Sequence, residues 1–88
     1  MSAQTATDTN VHTFDARGVS RRFRHSAIFG AIAVLRSGES MRFVNDHDPI
    51  PLIAQLRERL GDHLTVTYRQ RDAELIVVDF GISGLLAE

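Results

Sequence analysis

Histidine and aspartate side chains that could ligate a metal ion are concentrated in two short segments. His25 belongs to the first predicted helix, and Asp46, His47 and Asp48 stand together just before the second. Imidazole and carboxylate groups bind zinc, iron, manganese and nickel, so these four residues form a candidate site for a divalent transition metal whose identity stays open. The competing interpretation is structural, with Asp48 as a helix cap and each histidine packed locally. The spacing matches no compact metal motif, which favours the structural interpretation.

Arginines in the same region offer a second kind of chemistry, the binding of an anion. Four of them follow the first predicted strand closely: Arg17, Arg21, Arg22 and Arg24. Guanidinium groups and the unpaired backbone N–H groups of helix N-termini both bind phosphate or carboxylate. The alternative is a solvated turn whose arginines balance Asp46 and Asp48. The lack of a glycine-rich phosphate loop favours that alternative.

The composition excludes several classes of function. The 88 residues include no cysteine, which removes disulfides, thiolate metal sites, iron–sulfur clusters and cysteine nucleophiles. Ten basic and 11 acidic residues give a formal charge of −1, so no general attraction to nucleic acid or anionic lipid is expected. The aromatic residues fall mostly on predicted core positions, which also argues against nucleic-acid binding. No nucleophile stands in a recognisable motif, so a binding role is favoured over an enzymatic one.

Four strands are predicted from apolar residues that alternate along the chain. They lie at Val11–Asp15, Ser40–Asn45, 64–69 and 75–80. The last two are separated only by the turn at 70–73, so they should pair as a hairpin. The first two are each followed by a helical pattern, which indicates two β-α units.

Both predicted helices have an apolar stripe and recognisable ends. The first starts at a Ser20 N-cap, ends near 37–38 and has this stripe: Ile28, Ala31, Ile32 and Leu35. The second starts at an Asp48 N-cap and has this stripe: Leu52, Ile53, Leu56 and Leu60. It should end at Gly61, where a left-handed residue is wanted.

The topology brings the two segments with chemical potential together. A right-handed crossover makes the first two strands parallel and directs both strand-to-helix turns to one edge of the sheet. The residues expected at this strand-to-helix edge are Arg17, Arg24, His25, Asp46, His47 and Asp48. The predicted fold is an α/β chain of the α+β two-layer type, β-α-β-α-β-β, with a mixed four-stranded sheet and two helices on one face.

One domain fits a chain of this length. We expect a disordered tail at 1–10, a single domain at 11–80 and an apolar C-terminal tail at 81–88. The tail contains Ile82, Leu85 and Leu86, which could dock on the domain or on a second copy in a homodimer. Neither a signal peptide nor a membrane-length apolar segment is apparent, so the expected location is the cytoplasm.

Four segments carry a family resemblance: Phe14-Asp15-Ala16-Arg17-Gly18, Arg24-His25-Ser26-Ala27-Ile28-Phe29, Gly38-Glu39-Ser40 and Asn45-Asp46-His47-Asp48-Pro49-Ile50-Pro51-Leu52. Across residues 12 to 80 the chain resembles an uncharacterised, TusA/SirA-like bacterial family, domain-of-unknown-function family 2249. The resemblance implies the two-layer fold of the sulfur carrier TusA. Sulfur carriers present Cys-Pro-x-Pro at the start of the first helix, whereas residues 19–24 contain no cysteine, so persulfide transfer is not expected.

Three functional hypotheses follow. The leading one is a non-enzymatic accessory domain that binds a partner protein or small ligand at the strand-to-helix edge. The second is a metal-binding domain that uses His25 and His47 with Asp46 or Asp48. The resemblance implies hemerythrin-like or redox partners and a link to nitrogen-oxide metabolism for this case. The third is a small-molecule enzyme whose pocket forms on dimerisation.

Overall fold

Strands and helices alternate in the order β-α-β-α-β-β through residues 10–84, the part of the chain that the computed structural model describes. The elements are β1 (Val11–Asp15), α1 (Arg21–Ala33), β2 (Ser40–Asn45), α2 (Ile50–Leu60), β3 (Leu64–Arg71) and β4 (Ile76–Ile82). Short 3-10 turns at Ala16–Gly18 and Gly61–His63 connect β1 to α1 and α2 to β3. The predicted element order is confirmed.

The four strands form one mixed sheet in the order β1-β2-β4-β3. β1 and β2 are parallel, with Phe14 opposite Phe43, while β4 is antiparallel to both of its neighbours. A β-bulge lies in β3 between Tyr68 and Gln70. The chain therefore has the predicted α+β sandwich architecture, and β2 and β4 are its two central strands.

The core lies between the helices and one face of the sheet. Every second residue of β2 and β4 is buried, and the aromatic rings of Phe43 and Phe80 pack with centroids 5.8 Å apart. The helices add these buried side chains: Ile28 and Ile32 from α1, and Leu52, Ile53 and Leu56 from α2. Each large apolar side chain contributes about 1.5–3 kcal/mol when fully buried. Both helices thus cover the same face of the sheet.

The opposite face of the sheet carries a cluster of three charged residues that form two ion pairs, which the sequence analysis did not predict. Asp79 of β4 is buried and accepts from Arg42 Nε at 2.9 Å and from Arg69 Nε at 2.8 Å. The hydrogen bond from Arg42, reinforced by Arg69, holds the pKa of Asp79 below its usual value despite the opposing effect of burial. This cluster links three strands: β2, β3 and β4.

Helix α1 ends at Ala33, earlier than the predicted 37–38. Leu35 is buried, as its place in the apolar stripe indicated, but it lies in the turn after the helix. The backbone N–H of Arg36 donates to Glu39 Oε1 at 2.6 Å instead of continuing the helical ladder. The backbone N–H groups of Val34 and Leu35 bond to carbonyls only three residues earlier, so the helix has ended before Glu39 accepts from Arg36. Gly38 with φ of +93° then turns the chain into β2.

The hairpin strands extend beyond their predicted ends. β3 continues to Arg71, and β4 continues two residues past Phe80 to Ile82, which is buried and pairs with Leu64. Ile82 therefore belongs to the sheet, whereas the sequence analysis had assigned it to an apolar C-terminal tail that begins at residue 81. The predictions for residues 1–9 and for Leu85 and Leu86 lie outside the described residues. Within 10–84, neither helix has the length and apolar character needed to cross a bilayer.

Candidate functional site

A cleft of about 280 Å³ opens where β2 ends and both helices begin. Its lining residues are Arg21, Arg24, His25, Ile28, Phe43, Asn45, His47, Asp48, Pro49, Pro51 and Leu52. Ile28, Phe43 and Leu52 belong to the hydrophobic core, so they form an apolar floor. The polar residues come from the first turns of α1 and from the loop before α2, and they form the rim. We call this feature the helix-start cleft.

Arg24 is a structural connection between the two sides of the helix-start cleft. Its side chain is only 13% exposed, and its Nε donates to the carbonyl of Val19 at 2.8 Å. Its Nη1 donates to Asn45 Oδ1 at 3.2 Å and approaches Asp46 Oδ1 at 3.5 Å. Asn45 in turn donates from Nδ2 to the carbonyl of His47 at 2.9 Å. These bonds fix the loop before α2 against the start of α1.

His47 lies between the carboxylate of Asp46 and the guanidinium group of Arg21. Its Nδ1 lies 2.6 Å from Asp46 Oδ1, and its Nε2 lies 3.3 Å from Arg21 Nη2. A carboxylate only accepts and a guanidinium only donates, so these partners assign a neutral ring with the proton on Nδ1 and the lone pair on Nε2. Asp46 therefore orients His47, and His47 in turn orients Arg21.

Asp48 does not cap α2, and the prediction that it is an N-cap is wrong. The helix begins at Ile50, with Pro49 at the N-cap position and no side-chain capping bond. The Asp48 carboxylate instead accepts from Tyr68 Oη at 2.5 Å and from Arg71 Nε at 2.8 Å. These two β3 residues attract it away from the helix end and fasten the loop before α2 to the sheet.

The same contacts change the titration of this pair. The Tyr68 hydrogen bond, with help from Arg71, lowers the pKa of Asp48 despite some burial. Burial first, and then the neighbouring Asp48 carboxylate, raise the pKa of Tyr68. Asp48 thus stays ionised at neutral pH, but its charge is already balanced by Arg71.

Arg17 and His25 differ in how they relate to the helix-start cleft. Arg17 is not among its lining residues and forms an exposed ion pair with Asp15, with Nη2 and Oδ2 2.8 Å apart. Those bonds lower the pKa of Asp15 to about 2. His25 is an exposed rim residue whose ring meets Phe29 edge-on at 6.5 Å and makes no hydrogen bond within residues 10–84. Of these two predicted edge residues, only His25 faces the cleft.

The predicted metal ligands are partly engaged with protein groups. His25, His47 and Asp48 line one cleft. The two ring nitrogens of His47 already contact Asp46 and Arg21. The carboxylate of Asp48 already accepts from Tyr68 and Arg71. Across residues 10–84, no three histidine, cysteine, aspartate or glutamate side chains are grouped so that they could hold a metal ion. Metal binding remains a prediction without a preformed ligand set behind it.

Three site residues lacked a clear signal in the sequence. Arg21 had been grouped with its neighbouring arginines, and nothing in the local pattern distinguished it as the one that contacts His47. Tyr68 and Arg71 lie on β3, and their bonds to Asp48 depend on tertiary packing. The alternation of β3 gives Tyr68 an inward direction but not its partner.

A family model described as "Uncharacterized conserved protein (DUF2249)" matches residues 13–81. That range covers the sheet from the middle of β1 to the second-last residue of β4, and it includes the whole helix-start cleft. No curated protein and no solved structure matches the chain.

Proposed function

The chain belongs to the DUF2249 family of uncharacterised conserved proteins, and we propose that it is a non-enzymatic binding domain that takes a small ligand in the helix-start cleft. The observation that carries this proposal is the composition of the cleft, an apolar floor under a polar rim. Ile28, Phe43 and Leu52 are at most 2% exposed, while Arg21 and His25 are exposed above them. Ligand sites combine an apolar lining with a few convergent polar groups in this way.

The size of the cleft limits the ligand. Sites for drug-sized molecules span roughly 300–1,000 Å³, so a cleft of about 280 Å³ suits a molecule of metabolite size. A TusA-like ancestry, a bacterial cytoplasmic setting and hemerythrin-like or redox partners are compatible with a small-ligand domain. They belong to the proposal. The ancestry, the bacterial origin and the partners rest on the sequence resemblance, and the cytoplasmic setting rests on the hydropathy pattern of the sequence.

An enzymatic role is the second candidate, and the contact between Asp46 and His47 is the observation that favours it. A carboxylate that accepts from Nδ1 leaves the Nε2 lone pair available as a general base. That lone pair, however, faces Arg21 at 3.3 Å, and the described lining contains no serine, threonine or cysteine. Binding therefore requires fewer assumptions than catalysis.

The proposal is tested by a fragment titration followed in amide nuclear magnetic resonance spectra. Neutral, anionic and cationic fragments are added singly at millimolar concentration to the uniformly labelled chain. We expect at least one class to shift amides around Arg21, His25 and His47 together. His25→Trp, which fills the rim, should abolish those shifts, whereas the neighbouring Ser26→Trp should keep them because Ser26 is exposed and outside the lining.

Two results would overturn the binding role. The first is a fragment set in which no class perturbs the cleft amides. The second is equal binding by His25→Trp and wild type, which would place the ligand elsewhere. Far-ultraviolet circular dichroism of both tryptophan variants checks that the fold is kept.

The metal hypothesis is tested separately by metal analysis of tag-free protein challenged with zinc, iron, nickel and copper. We expect no stoichiometric metal that depends on the histidines, because their preferred partners are protein groups. The wild type and the His25→Ala/His47→Ala variant should therefore retain the same small amount. One equivalent of metal held by the wild type and lost in the variant would replace the small-ligand proposal.

A further inference from the structure

The charges around the helix-start cleft are unequally engaged. The guanidinium of Arg24 is already bonded to Val19, Asn45 and Asp46. The carboxylate of Asp48 is balanced by Arg71 and Tyr68, which lie behind it on β3. Arg24 and Asp48 are therefore both engaged by protein groups, which leaves Arg21 as the arginine of the lining with free donors.

Hydrogen-bond donors remain at the rim. Arg21 is exposed, and its contact with His47 uses one of the five N–H donors of a guanidinium. His25 adds a ring N–H without a partner among residues 10–84. The side-chain acceptors of Asn45 and Asp48 already accept from protein donors. The rim thus offers donors and a positive charge to an incoming molecule.

The two helix ends act in the same direction. Both α1 and α2 begin at the cleft, and neither Ser20 nor Pro49 at their N-caps makes a side-chain capping bond. The first-turn N–H groups therefore have no side-chain acceptor, and the helix dipoles add a positive potential at this edge. This effect alone would not define a site, but here it reinforces Arg21 above an apolar floor.

From these observations, which rest on the proposed binding function, we infer that the ligand is a small organic anion. Its carboxylate or phosphate group pairs with the Arg21 guanidinium at the rim, and its apolar part contacts Ile28, Phe43 and Leu52 on the floor. His47 is a positioning residue in this arrangement, because its Nε2 holds Arg21 while Asp46 fixes the ring.

The inference is tested with matched probes in the same spectroscopic titration. Benzoate and benzamide have nearly the same shape but differ in charge, phenyl phosphate presents the alternative anionic group, and inorganic phosphate lacks an apolar part. We expect benzoate or phenyl phosphate to bind at least about tenfold more tightly than benzamide, because a charge-assisted bond to arginine is the stronger contact. Inorganic phosphate should bind more weakly than phenyl phosphate.

Arg21→Gln and Arg22→Gln form the matched pair of variants. Both remove one positive charge from an exposed position, but Arg22 lies over the Phe23 ring and outside the cleft lining. Arg21→Gln should weaken the anionic probes by about tenfold or more and leave benzamide unchanged. Arg22→Gln should change neither by more than about twofold, since an exposed charge outside the cleft is screened by solvent.

Each other outcome overturns a defined part. Equal affinity for benzoate and benzamide, or equal weakening of binding by the two variants, would contradict an anionic ligand and leave the proposed small-ligand binding intact. If inorganic phosphate bound as tightly as phenyl phosphate, the inferred contact between the apolar part of the ligand and the cleft floor would be wrong. If neither anionic aromatic probe reaches the cleft but a neutral or cationic fragment does, the inference fails and the proposed function stands. If no fragment binds there, both fail.

Discussion

At the scale of single residues, Asp79 is a buried acid that two arginines contact. Its carboxylate accepts from Arg42 and Arg69 on the two strands that flank β4, and it is not among the lining residues of the helix-start cleft. Both guanidinium groups remain partly exposed, so water moderates the strength of the pairs. The buried acid between them is the group whose loss should be measurable.

Asp79→Asn should lower the free energy of unfolding by about 1–2 kcal/mol at pH 7, because two charge-assisted bonds become weaker neutral ones. Asp79 has a folded pKa below its ordinary value of 3.8, so its stabilisation is complete above that value and is lost as pH falls through the lowered pKa. The difference between wild type and variant should therefore shrink from about pH 5 downward. Urea unfolding at several pH values measures it.

Asp62→Asn is the control, since Asp62 is exposed in the turn Gly61–His63. Its effect should stay within about 0.5 kcal/mol at every pH. An Asp79 variant that matched this control, or a stability difference that grew in acid, would show that the ion pair contributes nothing to the folded state.

At the scale of elements, the two helices contain glycines in opposite situations. Gly61 ends α2 with φ of +54° and ψ of −126°, a backbone conformation that side chains rarely adopt. Gly30 lies inside α1, is exposed, and has open space where a Cβ would stand. The same substitution should therefore have opposite effects at these two positions.

Gly61→Ala should lower the free energy of unfolding by about 1–2 kcal/mol, because the new Cβ strains the backbone. Gly30→Ala should raise it by about 0.5–1 kcal/mol, because alanine favours the helix and restricts the unfolded chain. Thermal and urea unfolding of both variants measures the two signs. Destabilisation by both changes would contradict the assigned environment of Gly30, and stabilisation by both would contradict the turn at Gly61.

The sequence predicted elements well wherever the local pattern decided the structure. The alternation in Ser40–Asn45 determined the bounds of β2, and Gly61 was recognised as the end of α2 because its conformation is a local requirement. The end of α1 was missed because the apolar stripe continues to Leu35, which is buried although it lies after the last helical residue, Ala33. An apolar periodicity shows which residues are buried and not where the helical hydrogen bonds stop.

The candidate site was predicted only as far as topology allows. Two β-α units imply that His25 and His47 approach one edge, and both line the helix-start cleft. The role of Asp48 was missed because Tyr68 competes for its carboxylate from a strand far along the sequence. Arg17 lies outside the cleft lining, and Asp15, two positions earlier, pairs with it on the surface. The partner that each side chain contacts depends on three-dimensional distances, which the spacing of residues along the sequence does not determine.

At the scale of the whole molecule, the two sides of the cleft are connected to strands that differ in burial and in their position in the sheet. β2 and β4 are central strands with strongly buried residues, whereas β1 is an edge strand that pairs only with β2 and has no fully buried residue. Phe43 of the cleft floor and Asn45 belong to β2, while Arg21 and His25 follow β1 at the start of α1. One side of the cleft is thus more firmly anchored than the other.

Native-state hydrogen exchange should reveal this asymmetry. Amides of β2 and β4 should exchange only through global unfolding, whereas those of β1 and of the first turn of α1 should exchange at least about tenfold faster through local opening. β3 is the control, because it is also an edge strand without a buried residue, but seven of its residues pair with β4 whereas β1 has five paired residues. The β3 amides that bond to β4 should therefore exchange more slowly than those of β1. Equal protection of all strands from exchange would contradict the asymmetry. If benzoate slowed amide exchange selectively at the start of α1, this side of the cleft would be the one that closes on the anion.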